Sequence, residues 1–184
     1  VFTYDFERFD ASKILPMFAK YNITTFCAPP TMYRMLIKQD ISQYDLSSIK
    51  HATTAGEALN PEVFKQFKKV TGLKIYEGFG QTETTLSIAN LDGSGIKIGA
   101  MGRPSPLYDI DLVDPDGKPV PDGETGEIVV HTENGAPCGL FLGYYNDEER
   151  TKEVWHDGLY HTGDTAWRDE DGYLWYVGRV DDVI

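Results

Sequence analysis

Two kinds of hydrophobic pattern alternate along the first part of the chain, and this alternation constrains the fold more than any other feature. Apolar residues recur every three to four positions over 11–21, which predicts a helix with Asp10 as its N-cap. A short apolar run at 23–27 predicts a strand, and Pro29-Pro30 can open a second helix. Such an order indicates an α/β fold with a helix-covered parallel sheet, which binds ligands at the carboxyl ends of its strands.

The same alternation continues through the middle of the chain. A strand is predicted at 49–54, a helix between Asn60 and Gly72, and a further strand at 73–76. The last of these strands leads into a glycine-rich corner that begins at Gly78. The corner is therefore expected at the edge of the sheet where ligands bind.

From about residue 101 the pattern changes to short apolar runs that are separated by acidic turns rich in Gly and Pro. Two of these turns, 114–117 and 169–172, have the composition of tight turns between antiparallel strands. This sequence pattern is typical of a small antiparallel β-barrel or sandwich. The sequence therefore predicts an α/β part over residues 1–100 and a mostly β part over 101–184. The predicted strands of the second part are 110–113, 128–131, 165–168 and 173–177.

Composition excludes several classes of protein. The chain has 184 residues, of which 41% are hydrophobic, and this is enough to form a buried core. Its formal net charge of -12 argues against a binder of nucleic acid, which needs an excess of Lys and Arg. Cys27 and Cys138 lack the spacing of a metal site and are expected to be small buried hydrophobes. With no leader and no apolar run of roughly 20 residues, the sequence predicts a cytoplasmic protein with no transmembrane segment.

The stretch 76–83, which reads YEGFGQTE, holds the residues best suited to bind a ligand. Its glycines allow close approach to the backbone, and Phe79 offers a flat apolar surface. Thr82 and Glu83 add a hydroxyl and a carboxylate, so the set suits a nucleotide with a metal ion. The residues alone are also consistent with a plain tight turn that carries a surface Thr-Glu pair.

The segment Gly80-Gln81-Thr82-Glu83 resembles the signature of the adenylate-forming superfamily, which includes acyl-CoA synthetases, peptide-synthetase adenylation domains and luciferase. Three further motifs stand in the family's order: TAGEAL at 54–59, YHTGD at 160–164 and GRVDDVI at 178–184. The chain is thus identified as similar to AMP-forming acyl-CoA synthetases. This resemblance implies ATP or AMP, Mg²⁺ and CoA as cofactors and a small carboxylic acid as substrate.

The resemblance assigns roles to the signature and its neighbour. It implies that Phe79 stacks on adenine, as its aromatic face permits. It places the hydroxyl of Thr82 on the α-phosphate and the carboxylate of Glu83 on magnesium, a cation that prefers oxygen ligands. These two residues would act catalytically by stabilising charge at the reacting phosphorus. Gly80 and Gln81 complete the nucleotide-binding signature.

Further roles are implied on both sides of the signature. Asp164 would accept both ribose hydroxyls, although the sequence also fits a turn aspartate. Arg179 would reach ribose or phosphate oxygens, although a surface ion pair is the plainer interpretation. Asp181 falls at the hinge about which the family's C-terminal domain rotates. The adenine side of the site is implied to consist of Gly56, Glu57 and Ala58.

Within the superfamily, segments 28–34 and 80–85 resemble medium-chain acyl-CoA synthetases, whereas peptide-synthetase domains usually have Pro in place of Gln81. The acid is accordingly expected to be a fatty acid. Candidates for the acyl pocket are Phe26, Cys27, Gly78 and Phe79, of which the first two fit ordinary core packing equally well.

Two catalytic elements of the family have no counterpart in this sequence, namely the Ser/Thr/Gly-rich phosphate loop and the lysine of the C-terminal domain. The chain alone is therefore expected to be inactive and to expose apolar surface that favours self-association into a homo-oligomer. Three alternatives stay open: an adenylate-forming enzyme with another acceptor, a noncatalytic nucleotide-binding module, and a structural or interaction protein. The histidines form no triad with an evident serine, so none is assigned covalent catalysis.

Overall fold

The structure is a computed structural model that describes residues 1–5, 7–91 and 93–182. The chain divides into two compact units, Val1–Glu77 and Gly78–Ile184. The functional subdomains were expected to divide at about residue 101, where the sequence pattern changes, and this boundary stays a prediction. Val183 and Ile184, the last residues of the predicted motif 178–184, lie outside the described residues.

The first unit alternates helices and strands as predicted, and two of its helices begin at the predicted caps. The carboxylate of Asp10 accepts the N–H of Ser12 at 3.0 Å, and the amide oxygen of Asn60 accepts the N–H of Glu62 at 2.8 Å. Gly72 ends the third helix with φ +74°, a conformation that glycine adopts without steric cost. The elements are α1 Ala11–Lys20, β1 Thr25–Cys27, α2 Pro30–Ile37, a 3₁₀ turn Ile41–Gln43, β2 His51–Thr54, α3 Pro61–Thr71 and β3 Ile75–Gly80, of which the last three residues belong to the second unit.

The strands of this unit form a parallel sheet. Phe26 pairs with Ala52 between β1 and β2, and Ala52 pairs with Ile75 between β2 and β3. The ring of Tyr33 is fully buried against the rings of Phe26 and Phe67, with both pairs of centroids 5.2 Å apart. The prediction of a helix-covered parallel sheet is confirmed.

The second unit is mostly β. Its first strands extend the pairing of residues 78–80 at the end of β3: these pair antiparallel with β4 Leu86–Ala89, which pairs antiparallel with β5 Arg103–Pro104. A separate antiparallel sheet has the order β10-β9-β7-β6, with β8 beside β9, and this confirms the predicted antiparallel part. The remaining elements are β6 Ile110–Val113, β7 Thr125–His131, α4 Glu148–Val154, β8 Trp155–His156, β9 Leu159–Arg168 and β10 Leu174–Arg179.

The apolar faces of these strands enclose the core of the second unit. Ile128, Val130 and Leu174 are completely buried there. Val129, on the other face of β7, is buried as well in a smaller cluster with Val113 and Leu159, so this part of β7 is covered on both faces. The same strands carry polar residues of the candidate site, among them Glu127 of β7, Thr162 of β9 and Arg179 of β10.

Two predictions about the first unit are wrong in detail. β3 was expected to end at residue 76 in a glycine corner, but it continues through Gly80 because residues 78–80 find a partner in β4. Cys27 was expected to be buried, but it is exposed, since it lies on the outward-facing side of a strand whose burial alternates. Cys138, in a loop of the second unit, is exposed as well.

Among the described residues, none of the helices combines the length and the apolar character needed to cross a membrane.

Candidate functional site

A cleft of about 640 Å³ opens in the second unit, and its walls bring together five residues that the sequence analysis singled out. The loop after β3 contributes Gln81, Thr82 and Glu83, and the end of β10 contributes Arg179 with Asp181 just beyond it. Segments nearly 100 residues apart in the sequence thus line one cleft.

The shape of this cleft depends on a bulge in β9. Glu127 of β7 pairs with Thr165, but Val129 pairs with His161, so Ile128 alone faces residues 162–164. β-Bulges of this kind bend a strand and redirect its side chains. Here the bulge carries Asp164.

The backbone at the centre of the bulge favours glycine. Gly163 has φ +70°, a region that residues with a Cβ rarely occupy. A Cβ at this position would also lie 2.8 Å from Nη2 of Arg179. The Gly-Asp pair of the 160–164 motif is therefore explained by backbone conformation and by the close approach of the guanidinium.

Side chains replace the ladder hydrogen bonds that the bulge removes. The N–H of Gly163 donates to Oε1 of Glu127 at 2.9 Å, and the N–H of Asp164 donates to Oγ1 of Thr162 at 3.1 Å. That hydroxyl in turn donates to the carbonyl of Ile128 at 2.8 Å. Because these buried polar groups are satisfied, the bulge is held in one conformation.

Asp164 lies at the centre of the polar network. Its residue is 6% exposed, and its Oδ1 accepts the hydroxyl of Tyr176 at 3.1 Å. Its Oδ2 accepts Nε2 of Gln81 at 2.5 Å and lies 3.6 Å from Nη1 of Arg179. A carboxylate has about four acceptor positions, so oxygen lone pairs remain for a ligand. Asp164 is thus a strand residue held by donors rather than an aspartate of a turn.

The side chain of Gln81 is occupied by protein partners. Nε2 donates to the carbonyl of Thr162 at 2.8 Å as well as to Asp164, and Oε1 accepts the hydroxyl of Tyr160 at 2.9 Å. Burial, reinforced by the charge of Glu83, raises the pKa of Tyr160, so its hydroxyl stays a donor. The contacts of Gln81 orient Asp164.

Glu83 presents part of its carboxylate to the cleft. Its Oε1 accepts the hydroxyl of Tyr144 at 2.8 Å, and Tyr144 is held by the guanidinium of Arg150 at 4.5 Å from its ring centroid. Burial and the hydrogen bond to Glu83 raise the pKa of Tyr144, which keeps the donor protonated. Thr82 beside it is exposed. The loop itself is tightened by the N–H of Gln81, which donates to the hydroxyl of Thr84 at 2.9 Å.

The donor set at Glu83 fits magnesium bound together with a nucleotide. Mg²⁺ in such sites takes one or two protein carboxylates, and phosphate and water complete its octahedron. Glu83 supplies a carboxylate of which one oxygen is fixed by Tyr144. In the part of the chain that the structure describes, no three His, Cys, Asp or Glu side chains cluster as an all-protein metal site.

Arg179 connects the two sides of the bulge. Its Nη1 donates to the carbonyl of Thr162 at 3.2 Å, and its Nε lies 3.3 Å from Oδ1 of Asp181. Although burial opposes the charge, Asp164 and Asp181 raise the pKa of Arg179. The guanidinium is thus a permanent cation in a cleft that several carboxylates line. The hinge role of Asp181, an exposed residue, stays a prediction.

Phe79 occupies a strand position. It pairs with Ile88 of β4, packs against the core of the second unit, and its ring centroid lies 6.5 Å from that of Tyr176. The ring is half-buried, so one part of it is available to a ligand. Its stacking on adenine stays a prediction.

The predicted adenine loop lies in the first unit. Gly56, Glu57 and Ala58 follow β2 and are exposed. The carboxylate of Glu57 accepts the hydroxyl of Thr31 at 2.9 Å and lies 3.5 Å from Nη2 of Arg34. These contacts leave the backbone of the loop, rather than the Glu57 side chain, as the candidate to meet a ligand.

Sequence reasoning missed several residues of the site. Tyr160 is the first residue of the 160–164 motif but was assigned no role, and Glu127 and Tyr144, which line the cleft, lie outside the motifs. Tyr176, which donates to Asp164, was predicted only as part of a strand. Their roles depend on strand register, which places Glu127 opposite Thr165. The local hydrophobic pattern carries no signal for that.

Comparison with known proteins places this site in context. Residues 1–145 match the family described as AMP-binding enzyme. The whole chain is 47% identical to acyl-coenzyme A synthetase ACSM3 from Rattus norvegicus and 42% identical to acyl-coenzyme A synthetase ACSM5 from Homo sapiens, and it covers 32% of each. The chain therefore spans about a third of the length of the curated relatives that it matches.

A solved structure shows the same fold. The crystal structure of the anthranilate CoA ligase AuaEII in complex with anthranoyl-AMP superposes with a TM-score of 0.86 and 35% identity, over 95% of this chain and 33% of that one. The prediction of a cytoplasmic protein is wrong by the same comparisons, because both curated relatives are named as mitochondrial.

Proposed function

Because this chain belongs to the AMP-binding enzyme family, we propose that the protein containing it is an AMP-forming acyl-CoA synthetase. In the first half-reaction a carboxylate attacks the α-phosphorus of ATP, and an acyl-adenylate and pyrophosphate result. In the second, the thiol of CoA attacks the acyl carbon and AMP leaves. The chain covers only a third of its relatives, so the activity belongs to the full-length protein.

One observation carries this proposal: a single cleft gathers Thr82, Glu83 and Arg179, and the buried carboxylate of Asp164 lies 3.6 Å from the guanidinium of Arg179. A nucleotide offers ribose hydroxyls that need an acceptor, phosphates that need donors or cations, and magnesium that needs oxygen ligands. The cleft residues together with the adjoining Asp164 offer each of these. A degenerate, noncatalytic module would be expected to have lost some of them.

Asp164 is the proposed acceptor for both ribose hydroxyls. Its carboxylate is oriented by three protein donors and retains acceptor capacity, so a ligand meets it without a large rearrangement. Arg179, beside it, is the proposed donor to ribose or phosphate oxygens. Phe79 and residues 56–58 are proposed for the adenine ring.

Thr82 and Glu83 are proposed to act at the reacting phosphate. The exposed hydroxyl of Thr82 can donate to an α-phosphate oxygen, and Glu83 can hold magnesium while Tyr144 fixes its orientation. Magnesium, when bound, neutralises charge on the phosphate oxygens. Groups held in advance where charge develops lower the barrier without reorganisation, so no protein nucleophile is needed.

For the substrate we favour a fatty acid, because segments 28–34 and 80–85 resemble medium-chain acyl-CoA synthetases. The anthranilate CoA ligase of similar fold makes an aromatic acid the second candidate. The names of the curated relatives favour a mitochondrial location.

Pyrophosphate release by the full-length protein, measured over fatty and aromatic acids with and without CoA, tests the proposal. We expect release that depends on the acid, and an acyl thioester only when CoA is present. Glu83→Gln should lower the rate about 100-fold, because the variant loses the charge that holds magnesium. Glu124→Gln, at an exposed turn of the same unit, is the matched control and should keep the wild-type rate.

The outcomes separate the alternatives. Release of pyrophosphate with no thioester in the presence of CoA would indicate an adenylate-forming enzyme with another acceptor. Binding of AMP with no turnover of any acid would indicate a nucleotide-binding module. Failure to bind ATP or AMP would reject both and favour a structural or interaction protein.

A further inference from the structure

Glu127 is a charged residue of the cleft for which the proposed chemistry has no direct use. It lies on β7, its side chain is 21% exposed, and both of its carboxylate oxygens are engaged with β9. Oε1 accepts the N–H of Gly163, and Oε2 lies 2.9 Å from Nδ1 of His161. An acid in this position either contacts the ligand or shapes the strand that does.

The geometry of the bulge favours the second role, in which Glu127 shapes the strand. Between the pairs Glu127–Thr165 and Val129–His161, three residues of β9 face one residue of β7, so Gly163 has no ladder acceptor for its N–H. Glu127 supplies that acceptor. A buried N–H without a partner is costly, and the strand would otherwise relax toward regular pairing.

Relaxation of the bulge would displace the groups proposed to meet the ribose. The carbonyl of Thr162, which precedes Gly163, accepts from both Gln81 and Arg179. Asp164 follows Gly163 and faces the same two side chains. The orientation of the peptide at Gly163 therefore determines whether the carbonyl of Thr162 and the carboxylate of Asp164 can both face Gln81 and Arg179.

The carboxylate of Glu127 is suited to this position. Burial opposes its charge, but the hydrogen bonds from His161 and from the N–H of Gly163 prevail and lower the pKa of Glu127. The ring of His161 is in turn stacked on that of His156, with centroids 4.3 Å apart. Glu127 is thus fixed between two partners of one strand.

We infer that Glu127 is a positioning residue, which holds the 162–164 bulge so that Asp164 and Arg179 meet the ribose of the nucleotide. This inference rests on the proposed function, because the ribose is the ligand of Asp164 only in that proposal. In this role Glu127 acts through its two contacts with β9 rather than through a contact with the nucleotide.

The test compares the affinity of the full-length protein for AMP and for 2′-deoxy-AMP by calorimetry. A site that hydrogen-bonds a hydroxyl rejects the analogue without it, so the wild-type protein should prefer AMP by about 10-fold or more. Glu127→Leu should reduce this preference to within about twofold of unity, because Asp164 no longer points at the 2′-hydroxyl. A general loss of stability would weaken both ligands alike and leave the ratio unchanged.

Glu127→Gln is the rescue variant. Its amide oxygen can accept from Gly163 and its NH₂ can donate to Nδ1 of His161, so it should retain most of the preference for AMP. Glu124→Leu, which removes an exposed glutamate from the same unit, should retain all of it. If Glu127→Leu yields no folded protein, Glu127→Asp replaces it: the shorter side chain cannot span both partners, and the preference should fall at least about threefold.

Retention of the wild-type preference by Glu127→Leu, or by Glu127→Asp in its place, would overturn the inference alone. Absence of a preference in the wild-type protein would instead reject the ribose role of Asp164, and the inference would fail with it. If Glu127→Gln loses the preference for AMP as fully as Glu127→Leu does, the result would also count against positioning. The hydrogen bonds of residue 127 to Gly163 and His161 would then not be the cause of the preference.

Discussion

Each unit buries a carboxylate, and the two are held in different ways. Glu77, at the end of the first unit, is 5% exposed, and Asp164 in the second unit is 6% exposed. Glu77 accepts the N–H of Leu59 at 2.9 Å, but its burial prevails and raises the pKa of its carboxyl to about 7. Asp164 is surrounded by an amide, a phenol and a guanidinium.

The difference shows that burial by itself does not mark a ligand-binding acid. Desolvation favours the neutral form of a carboxyl group, and a buried acid contributes a charge to a ligand only where donors and cations compensate for the loss of water. Two of the compensating groups around Asp164, Gln81 and Arg179, are side chains that line the cleft. Glu77 and Asp164 should therefore respond in opposite ways to replacement by the neutral amide.

The largest expected effect is at Asp164. Asp164→Asn in the full-length protein should weaken AMP binding about 100-fold or more, because the amide removes charge-assisted hydrogen bonds to the ribose. It also replaces one acceptor oxygen by an NH₂ group at a position surrounded by donors on Gln81, Arg179 and Tyr176. Calorimetric titration with AMP measures the loss.

Asp111→Asn is the matched control for this variant. Asp111 lies on β6 and is paired with Arg168 at 2.7 Å, outside the residues that line the cleft. It should leave the affinity within about twofold of the wild-type value. Equal losses in the two variants would mean that charge in the second unit, rather than the position of Asp164, governs binding.

At Glu77 the effect should appear in stability and have the opposite sign. The pKa of its carboxyl rises from 4.5 to about 7 on folding, so the folded state binds the proton more tightly than the unfolded state does. The favourable contribution is present below about pH 4.5 and is lost as the pH rises to about 7. The shift corresponds to about 3 kcal/mol in the free energy of unfolding.

Glu77→Gln stays neutral and should remove this pH dependence. In urea unfolding, the variant should match the wild-type protein near pH 4.5 and exceed its free energy of unfolding by up to about 3 kcal/mol at pH 8. Glu62→Gln, on the exposed first turn of α3, should leave the wild-type pH profile unchanged. A variant that is less stable than the wild-type protein at pH 8 would show that the ionised form of Glu77 is the one that the fold uses.

Local sequence was sufficient to predict the helices and the parallel strands of the first unit. Asp10, Asn60 and Gly72 act as helix ends through contacts within a few residues, and such contacts are visible in the sequence. The motifs also named Thr82, Glu83 and Arg179, which the structure brings to one cleft.

What escaped prediction depends on pairing between distant strands. β3 continues through Gly80 because β4 pairs with it, and nothing in the residues 78–80 themselves indicates a strand. The bulge at 162–164 exists only relative to the register of β7, so Glu127 could not be connected to Gly163 from the sequence. The exposure of Cys27 likewise follows from which face of β1 is covered.

The smallest effect sharpens the account of Asp164 by removing one donor at a time. Tyr176→Phe deletes the hydroxyl that donates to Oδ1 of Asp164 and keeps the ring that lies near Phe79. A single hydrogen bond to a charged group contributes about 1.5 kcal/mol, so AMP affinity should fall about 10-fold or less. Tyr145→Phe, at an exposed position of the same unit, should leave the affinity unchanged in the same titration.

If Tyr176→Phe has no effect, Gln81 and Arg179 suffice to orient the carboxylate, because they hold its other oxygen. A loss of AMP affinity as large as that of Asp164→Asn would instead mean that the hydroxyl of Tyr176 contacts the nucleotide directly. Tyr176 would then be a ligand-binding residue rather than a residue that orients Asp164.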